Sequence, residues 1–239
     1  MIRIKRIFKI LSVSSVESVT KNRINSIILF MTYLAKIGEL TLKGSNIQEF
    51  ENLLKHNVAE CLKGNGCRIN LRAGRLYIEC DESACEKVEF TLNHLIGITG
   101  WAKVQVVEKN IDSIRNAVTE IAKTARDNGY KSFKVEARRE DKSFPLNSYQ
   151  ICAEAAGDVY DQQILEVNVR NPEVVIYVEV RDRCFVYSVQ RKCARGLPVN
   201  VSGKGLLLLS GGLDSPVAGF KMLGRGMKTE CIYFHSYPY

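Results

Sequence analysis

The chain has 239 residues, 46% of them hydrophobic and 25% charged, and this length allows two or three small domains with apolar cores. Its longest apolar runs are too short to span a bilayer, and its eight cysteines form no CxxC pair, so we expect neither a membrane protein nor a zinc or disulfide framework. Scattered thiols of this kind are typical of a reducing compartment, which predicts a cytoplasmic protein.

The net charge of +8 is concentrated at the start of the chain. Residues 1–30 carry six lysines or arginines against one acid, and the remainder nets only +3. Overall basicity is therefore weak evidence of nucleic-acid binding. We interpret residues 1–30 as an extension outside the fold, with Met31 as the natural start; a targeting peptide is the alternative.

From Met31 the sequence predicts a β-α-β-β-α order. A strand at "TYLAKIGEL" precedes the helix "IQEFENLLKHNVAECL", for which Asn46 could be the cap. Two short strands flank Ala73-Gly74, and "SACEKVEFTLNHL" is helical again. This order is typical of a ferredoxin-like α+β unit, which we assign to residues 31–85.

A second unit, assigned to residues 86–190, begins at "WAKVQVVEK". The apolar spacing predicts helices at "IDSIRNAVTEIAKTARDNG" and "SYQICAEAAGDVYDQQI". Strands are predicted at "SFKVEARRE", "LEVNVRN", "VVIYVEVRD" and "CFVYSVQRK", with a turn at Asn171-Pro172. The mixture of helices and strands again predicts an α+β fold.

The segment "LLLLSGGLDSPVAGF" predicts an anion site between a strand and a helix. Its apolar run suits a central parallel strand that is covered on both faces. Gly211 and Gly212 permit positive φ and a close approach to the backbone, Ser210 offers a hydroxyl, and Asp214 and Ser215 could cap the helix. Backbone N–H groups and the positive helix end would then face phosphate oxygens. An ordinary tight turn with a serine cap is the alternative.

The loop sequence Ser210–Ser215 resembles the SGGxDS signature of the PP-loop ATP pyrophosphatases. Around it, the blocks "YLAKIGELTLKGSN", "FKVEARREDKSFPLNSYQI", "NPEVVIYVEVRD" and "GLPVNVSGKGLLLLSGGLDSPVAG" resemble, in the same order, those of the ThiI family of tRNA 4-thiouridine synthetases. The resemblance implies a ferredoxin-like domain and an RNA-binding THUMP domain. Residues 191–239 would hold a linker and the first part of an α/β PP-loop domain of the adenine nucleotide alpha hydrolase-like type.

The activity implied by the resemblance is an ATP-dependent sulfurtransferase that makes 4-thiouridine at position 8 of tRNA. ATP and Mg²⁺ would be required, a cysteine desulfurase would supply persulfide sulfur, and a role in thiamine thiazole synthesis and a homodimer are further possibilities. The resemblance assigns the nucleotide to the following residues: Leu208, Leu209, Ser210, Gly211, Gly212, Asp214, Ser215, Tyr233 and Phe234.

The resemblance also suggests which basic residues bind RNA, whereas composition alone favours an ordinary solvated face. Lysine and arginine would contact acceptor-stem phosphates in a shape-based, salt-sensitive manner. The candidates are Lys43, Arg138, Arg139, Lys142, Phe144 and Arg195.

Two departures from the family pattern stand out. Ala194-Arg195 precedes Gly196 where the family usually carries two glycines before Leu-Pro, and the sequence given ends at Tyr239. We expect the catalytic residues and the sulfur-carrying cysteine beyond residue 239, so that this fragment binds tRNA without completing the reaction. The alternatives are an RNA-binding THUMP module without catalysis and a PP-loop ligase that acts on a small molecule.

Overall fold

The computed structural model describes residues 30–38 and 47–235. Most of the proposed extension at residues 1–30 lies outside these ranges, as do the candidate cap Asn46 and the candidate RNA ligand Lys43. None of the helices in the described ranges is long and apolar enough to cross a membrane.

The first unit has the predicted ferredoxin-like order. Its elements are β1 (Met31–Ile37), α1 (Ile47–Cys61), β2 (Arg68–Arg72), β3 (Arg75–Cys80), α2 (Cys85–His94) and β4 (Ile98–Val107). The strands lie in the order β2-β3-β1-β4, and every neighbouring pair is antiparallel. Ala73 and Gly74 both adopt positive φ and form the tight turn between β2 and β3. β3 therefore lies between β1 and β2, which gives the split β-α-β arrangement predicted from the sequence.

The second unit continues the same sheet. Its elements are α3 (Ile111–Asp127), β5 (Ser132–Arg139), α4 (Ser148–Asp161), β6 (Glu166–Val167), β7 (Val174–Val180), β8 (Cys184–Tyr187) and β9 (Arg191–Lys192). Asn110 caps α3, and Asn147 with Gln150 forms a capping box on α4, so both helices begin where side chains satisfy free N–H groups. β4 joins the units because it pairs with β1 and, at its far end, with β8.

Each unit has its own apolar core beneath its helices. In the first, Leu54 and Val58 of α1 pack with the strands around Tyr33 and Ile78. Helix α2 packs into the same core through its buried side chains, although the predicted limit of the first domain is residue 85. In the second, α3 and α4 cover Phe133 and the apolar residues of β7. Burial of these faces by the helices is the main source of stability in each unit.

A third cluster lies on the opposite face of the shared sheet. Leu34 and Tyr77 from the first unit pack there against Phe185 and Tyr187 from the second. The rings of Tyr77 and Phe185 stack with centroids 5.2 Å apart. The two units therefore share apolar contacts as well as strand pairing.

A buried ion pair crosses between the units on this face. Nε and Nη2 of Arg75, on β3, donate to the two carboxylate oxygens of Glu179, on β7, at 3.2 and 3.1 Å. The Glu179 side chain is 4% exposed. Arg181 Nε donates to the same carboxylate at 2.9 Å, and the Tyr187 hydroxyl donates to it at 3.0 Å. Both oxygens of the buried Glu179 carboxylate thus accept hydrogen bonds, and two of the donor side chains are positively charged.

The remaining residues form a small β-α-β unit of β10 (Lys204–Leu209), α5 (Asp214–Gly224) and β11 (Lys228–Tyr233). β10 and β11 are parallel, as the phosphate-loop prediction required. The prediction that β10 is covered on both faces is wrong for the described residues, because Leu206 is 65% and Leu208 63% exposed. Helix α5 covers the other face, where Gly219 lies directly over Leu207.

We expect Glu179→Gln to lower the free energy of unfolding by about 3–5 kcal/mol near neutral pH, because the buried Arg75 guanidinium loses its carboxylate partner and Arg181 keeps only that of Glu140. Burial alone would raise the pKa of Glu179, but the Arg75 and Arg181 guanidiniums outweigh it and hold that pKa below its ordinary value of 4.5. The stabilisation is therefore present above about pH 4.5 and is lost as the pH falls through the lower pKa of the folded state.

Denaturant unfolding at pH 7 and at acidic pH measures both effects. The matched control is Glu120→Gln, which breaks an exposed pair with Lys123 and should change stability little. Equal losses in the two variants, or a Glu179→Gln deficit that does not shrink in acid, would contradict the assignment.

Candidate phosphate loop and RNA-binding face

The phosphate-loop residues lie at the carboxyl end of β10, where the chain turns into α5. The Ser210 N–H donates to Ser215 Oγ at 3.1 Å, and the two hydroxyls lie 3.2 Å apart. The Gly212 N–H donates to Ser210 Oγ at 3.4 Å. The serines thus bind each other and hold the loop closed against the first turn of the helix.

The prediction that Asp214 or Ser215 caps α5 is wrong. Leu213 occupies the N-cap position, and within the described residues no side-chain hydrogen bond caps this helix end. The Ser215 hydroxyl is instead directed to the loop backbone. The helix therefore presents backbone donors that its own side chains do not use, a property of anion sites at helix N-termini.

Gly211 and Gly212 leave open space beside the loop. A Cβ placed on Gly211 would meet no atom of the described residues within 4 Å, its chain neighbours aside, and one on Gly212 would meet only Ser210 Oγ, at 3.6 Å. Neither glycine is among the described residues with positive φ, so backbone strain does not explain them. The open space beside these glycines is where a ligand could approach the backbone closely.

The predicted nucleoside residues lie along the ends of the two parallel strands. The strand register places Leu208 beside Ile232 and Leu209 beside Tyr233. Tyr233 is 58% and Phe234 76% exposed, so both rings are accessible to a ligand at this edge. The carboxyl edge of a parallel sheet is the usual ligand-binding edge.

The predicted RNA-binding residues do not share one environment. Arg138 is exposed at the end of β5, and Lys142 is exposed in the loop that follows. Arg139 is half-buried, and its guanidinium donates to the carbonyl oxygens of Phe144 and Leu146 at 3.2 and 3.4 Å. Arg138 and Lys142 can therefore meet a phosphate backbone directly, whereas Arg139 holds the loop.

Phe144 lies in the core of the second unit and is only 4% exposed. Burial leaves its ring no free face for stacking on a base, which argues against the predicted RNA contact. Lys43 lies outside the described residues. Arg195 is exposed with φ of 63°, a conformation that favours glycine, and its backbone N–H and carbonyl bond to Ile98 and Gly97 at 3.1 and 3.0 Å. An arginine therefore stands at a position where a glycine would be less strained.

Lys36, which lines one cavity with Arg138, was not singled out from the sequence. Its ammonium group lies 5.1 Å from the Tyr177 ring centroid and 5.6 Å from that of Tyr187, and it donates to Gln190 at 3.1 Å. Burial lowers the pKa of Lys36, and the nearby Arg75 and Arg138 guanidiniums act in the same direction. A lysine within the otherwise apolar strand "MTYLAKI" was the available signal.

Comparisons with known proteins cover nearly all of the described chain. Residues 32–102 match the ThiI ferredoxin-like domain, residues 108–189 match the THUMP domain, and residues 200–239 match the family described as thiamine biosynthesis protein (ThiI). The predicted order of ferredoxin-like, THUMP and PP-loop regions is thereby confirmed.

Among curated relatives, a probable tRNA sulfurtransferase of Treponema pallidum is 45% identical over 210 residues, which are 87% of this chain and 52% of that protein. One from Caldanaerobacter subterraneus is 38% identical over 208 residues, 86% of this chain and 54% of that protein. The chain thus spans about half the length of the curated relatives that it matches.

Two crystal structures are similar to the fold. A 4-thiouridine synthetase in complex with RNA and bound ATP superposes with a TM-score of 0.74 at 31% identity, covering 88% of this chain and 54% of that one. A protein from Pyrococcus horikoshii gives a TM-score of 0.76 at 26% identity, covering 87% of this chain and 69% of that one. With three consecutive matches along its length and these relatives, the chain belongs to the ThiI family.

Proposed function

We propose that this chain supplies the tRNA-binding region and the pyrophosphate-binding loop of an ATP-dependent tRNA uridine 4-sulfurtransferase. The observation that carries the proposal is the closed SGGLDS loop with open space beside Gly211, in one chain with a THUMP domain. The similar 4-thiouridine synthetase was crystallised with both RNA and ATP, which are the two ligands that these regions would take.

The loop would bind the β- and γ-phosphates of ATP. Backbone N–H groups beside Gly211 and at the start of α5 would donate to phosphate oxygens, and the Ser210 and Ser215 hydroxyls fix the loop for that contact. Mg²⁺ bound to the triphosphate would offset the negative charge of the phosphates. The exposed Asp214 is the carboxylate within the Ser210–Ser215 loop sequence. Leu209 and Tyr233, paired in the strand register, would flank the nucleoside.

The reaction would proceed in three displacement steps. The C4 oxygen of the uridine attacks the α-phosphorus of ATP, and pyrophosphate leaves to the loop. The outer sulfur of a cysteine persulfide, supplied by a cysteine desulfurase, then attacks C4, and AMP leaves with the oxygen. A second thiol attacks the inner sulfur of the resulting adduct, which frees 4-thiouridine and leaves a disulfide that an external dithiol reduces. The contribution of the described residues is to bind pyrophosphate and to orient the nucleotide, which stabilises charge on the leaving group.

The linker would fix the position of the bound RNA relative to the phosphate loop. Arg195 bonds through its backbone to the start of β4, and two residues later the Leu197 N–H donates to the carbonyl of Gly224, at the end of α5, at 3.0 Å. Asn57 Nδ2 on α1 donates to the carbonyl of Val199 at 3.0 Å. Helix α5 and the ferredoxin-like domain are thus attached to the same short segment, so tRNA on one would be positioned relative to the loop on the other.

We expect the double variant Arg138→Ala, Lys142→Ala to bind tRNA more weakly and with a smaller salt dependence. Each phosphate contact that is lost should lower the slope of log K against log salt concentration by roughly one. Arg139 is left intact because its replacement would release the loop carbonyls that it holds. Filter binding or anisotropy over a salt series measures both quantities.

The charge-matched control for this test is Lys123→Ala, Arg126→Ala on α3, where both cations pair with acids on the same helix. It should leave affinity and slope close to those of the parent chain. Equal effects of the two double variants would show that binding responds to total charge and not to this face.

We expect Gly211→Ala to weaken ATP–Mg²⁺ binding by about tenfold or more, the loss expected for one or two charge-assisted hydrogen bonds. Its thermal stability should be unchanged, because the added methyl group meets no atom of the described residues other than its chain neighbours. Calorimetric titration and thermal unfolding measure the two effects.

Gly196→Ala is the opposite control. Its φ is 87°, and its Cβ would lie 2.3 Å from the Gly224 carbonyl oxygen, so it should lower thermal stability. Unaltered ATP affinity in a correctly folded Gly211→Ala chain would remove the phosphate-loop assignment and favour an RNA-binding module without catalysis.

Replacing Ser210 or Asp214 by alanine in the gene should abolish most 4-thiouridine in cellular tRNA, since the loop could no longer hold pyrophosphate. The near-ultraviolet absorbance of purified tRNA reports the modified base. Lys221→Ala, an exposed change on α5, should leave it at the parental amount. Parental amounts in the loop variants would contradict the proposed reaction.

A further inference from the structure

Two cysteines face each other across the β2–β3 hairpin of the ferredoxin-like domain. The antiparallel register pairs Arg68 with Glu79 and Ile69 with Ile78. One step further out, the same register places Cys67 directly opposite Cys80, the last residue of β3. Directly opposed residues of antiparallel strands have Cα atoms about 4.5–5.5 Å apart, which lies within the range that a disulfide requires.

The two thiols also point to the same side of the sheet. Ile69 and Leu71 of β2 pack on the core beneath α1 and α2, and Cys67 packs on that core with them. Cys80 is fully buried in the same core. Cys67 and Cys80 therefore pack into one apolar core from opposed positions of the hairpin.

The surroundings keep these thiols protonated at rest. Burial raises the pKa of Cys80 to about 12, and burial likewise raises that of Cys67. The Asp81 carboxylate acts in the same direction on both, and its Oδ1 atom is buried without a hydrogen-bond partner among the described residues. Because the thiolate is the reactive form, both alkylation and oxidation should be slow here and should need excess reagent.

We propose that Cys67 and Cys80 form a reversible oxidation site, in which a peroxide converts the facing thiols to a cross-strand disulfide. Cys67 is the first target, because it is partly exposed whereas Cys80 is fully buried. The site protects the core of the ferredoxin-like domain, since a sulfenic acid with a thiol beside it is consumed before it is oxidised further to the irreversible sulfinic acid.

The chemistry balances in two steps. The Cys67 sulfur attacks the peroxide ROOH, the O–O bond breaks, and Cys67 sulfenic acid and ROH form; sulfur loses two electrons and the peroxide gains them. The Cys80 thiol then attacks the sulfenic sulfur, a disulfide forms and water leaves. A dithiol such as dithiothreitol returns both sulfurs to thiols by exchange.

Cys85 is the competing partner. It begins α2, its thiol lies 3.8 Å from the carbonyl oxygen of Asp81, and it interacts with Cys80. The register does not place it opposite Cys67, and Cys80 lies between them in the chain. We therefore assign the disulfide to Cys67 and Cys80, with Cys85 remaining a thiol.

The test treats the dilute native chain with hydrogen peroxide, alkylates remaining thiols in denaturant, and maps tryptic peptides without reduction. Cys67 is released in peptide 64–68, and Cys80 and Cys85 together in peptide 76–87. We expect these two peptides to be linked with one alkylated thiol, the link to disappear with dithiothreitol, and the exposed Cys61 to enter no such link. Oxidation should also raise the thermal midpoint by several degrees, because the link closes the hairpin.

Two conservative variants identify the partner. Cys85→Ser should retain the full yield of linked peptide, and Cys80→Ser should lose it. A link that survives in Cys80→Ser assigns the bond to Cys85 and overturns the proposal, as does parent protein in which Cys67 and Cys80 are both alkylated or both sulfinic after peroxide. Fragment-ion sequencing of the linked peptides from the parent chain shows whether Cys80 or Cys85 carries the alkyl group, so the assignment does not depend on the folding of either variant.

Discussion

The contact between Arg75 and Glu179 constrains the curvature of the sheet that the two domains share. Three strands, β1, β4 and β8, lie between the strands that carry these residues. In a flat sheet β3 and β7 would be about 19 Å apart, further than an arginine and a glutamate can reach together. Their bidentate contact at 3.1–3.2 Å therefore requires a sheet that curls toward this face. The stacked rings of Tyr77 and Phe185 fill the inside of the curl.

This curvature decides where the functional groups lie. Lys36, Arg75 and Arg138 come from three strands of the two domains, yet they line one cavity with Tyr177, and Lys36 lies over the ring of that tyrosine. On the outer face the helices cover the two apolar cores, while the THUMP domain and the domain before it are joined through β4. The phosphate loop depends much less on this arrangement. Its serines bind each other, and its link to the remainder runs through the segment around Arg195.

The elements were predictable from the sequence because their determinants are local. Apolar spacing located the helices, Ala73-Gly74 located the hairpin turn, and the order of elements indicated the ferredoxin-like unit. The ion pair was not predicted, since its partners are 104 residues apart, and only the acid within "VVIYVEV" indicated a buried charge with a distant partner. The site residues were inferred with mixed success for the same reason. Phe144 stands in a basic segment and resembles a stacking residue, but its burial depends on α3 and α4.

The shared sheet also limits how the chain can be recombined. A chimera that took its first domain from one relative and its THUMP domain from another would join strands at β4 and would bring two unrelated sets of side chains onto the inner face of the curl. If one donor carried a charge at position 75 or 179 and the other lacked its partner, one unpaired charge would be enclosed there. Exchange between relatives is therefore expected to succeed when residues 31–199 move as a block, because the segment 195–199 bonds to the start of β4 and to α1.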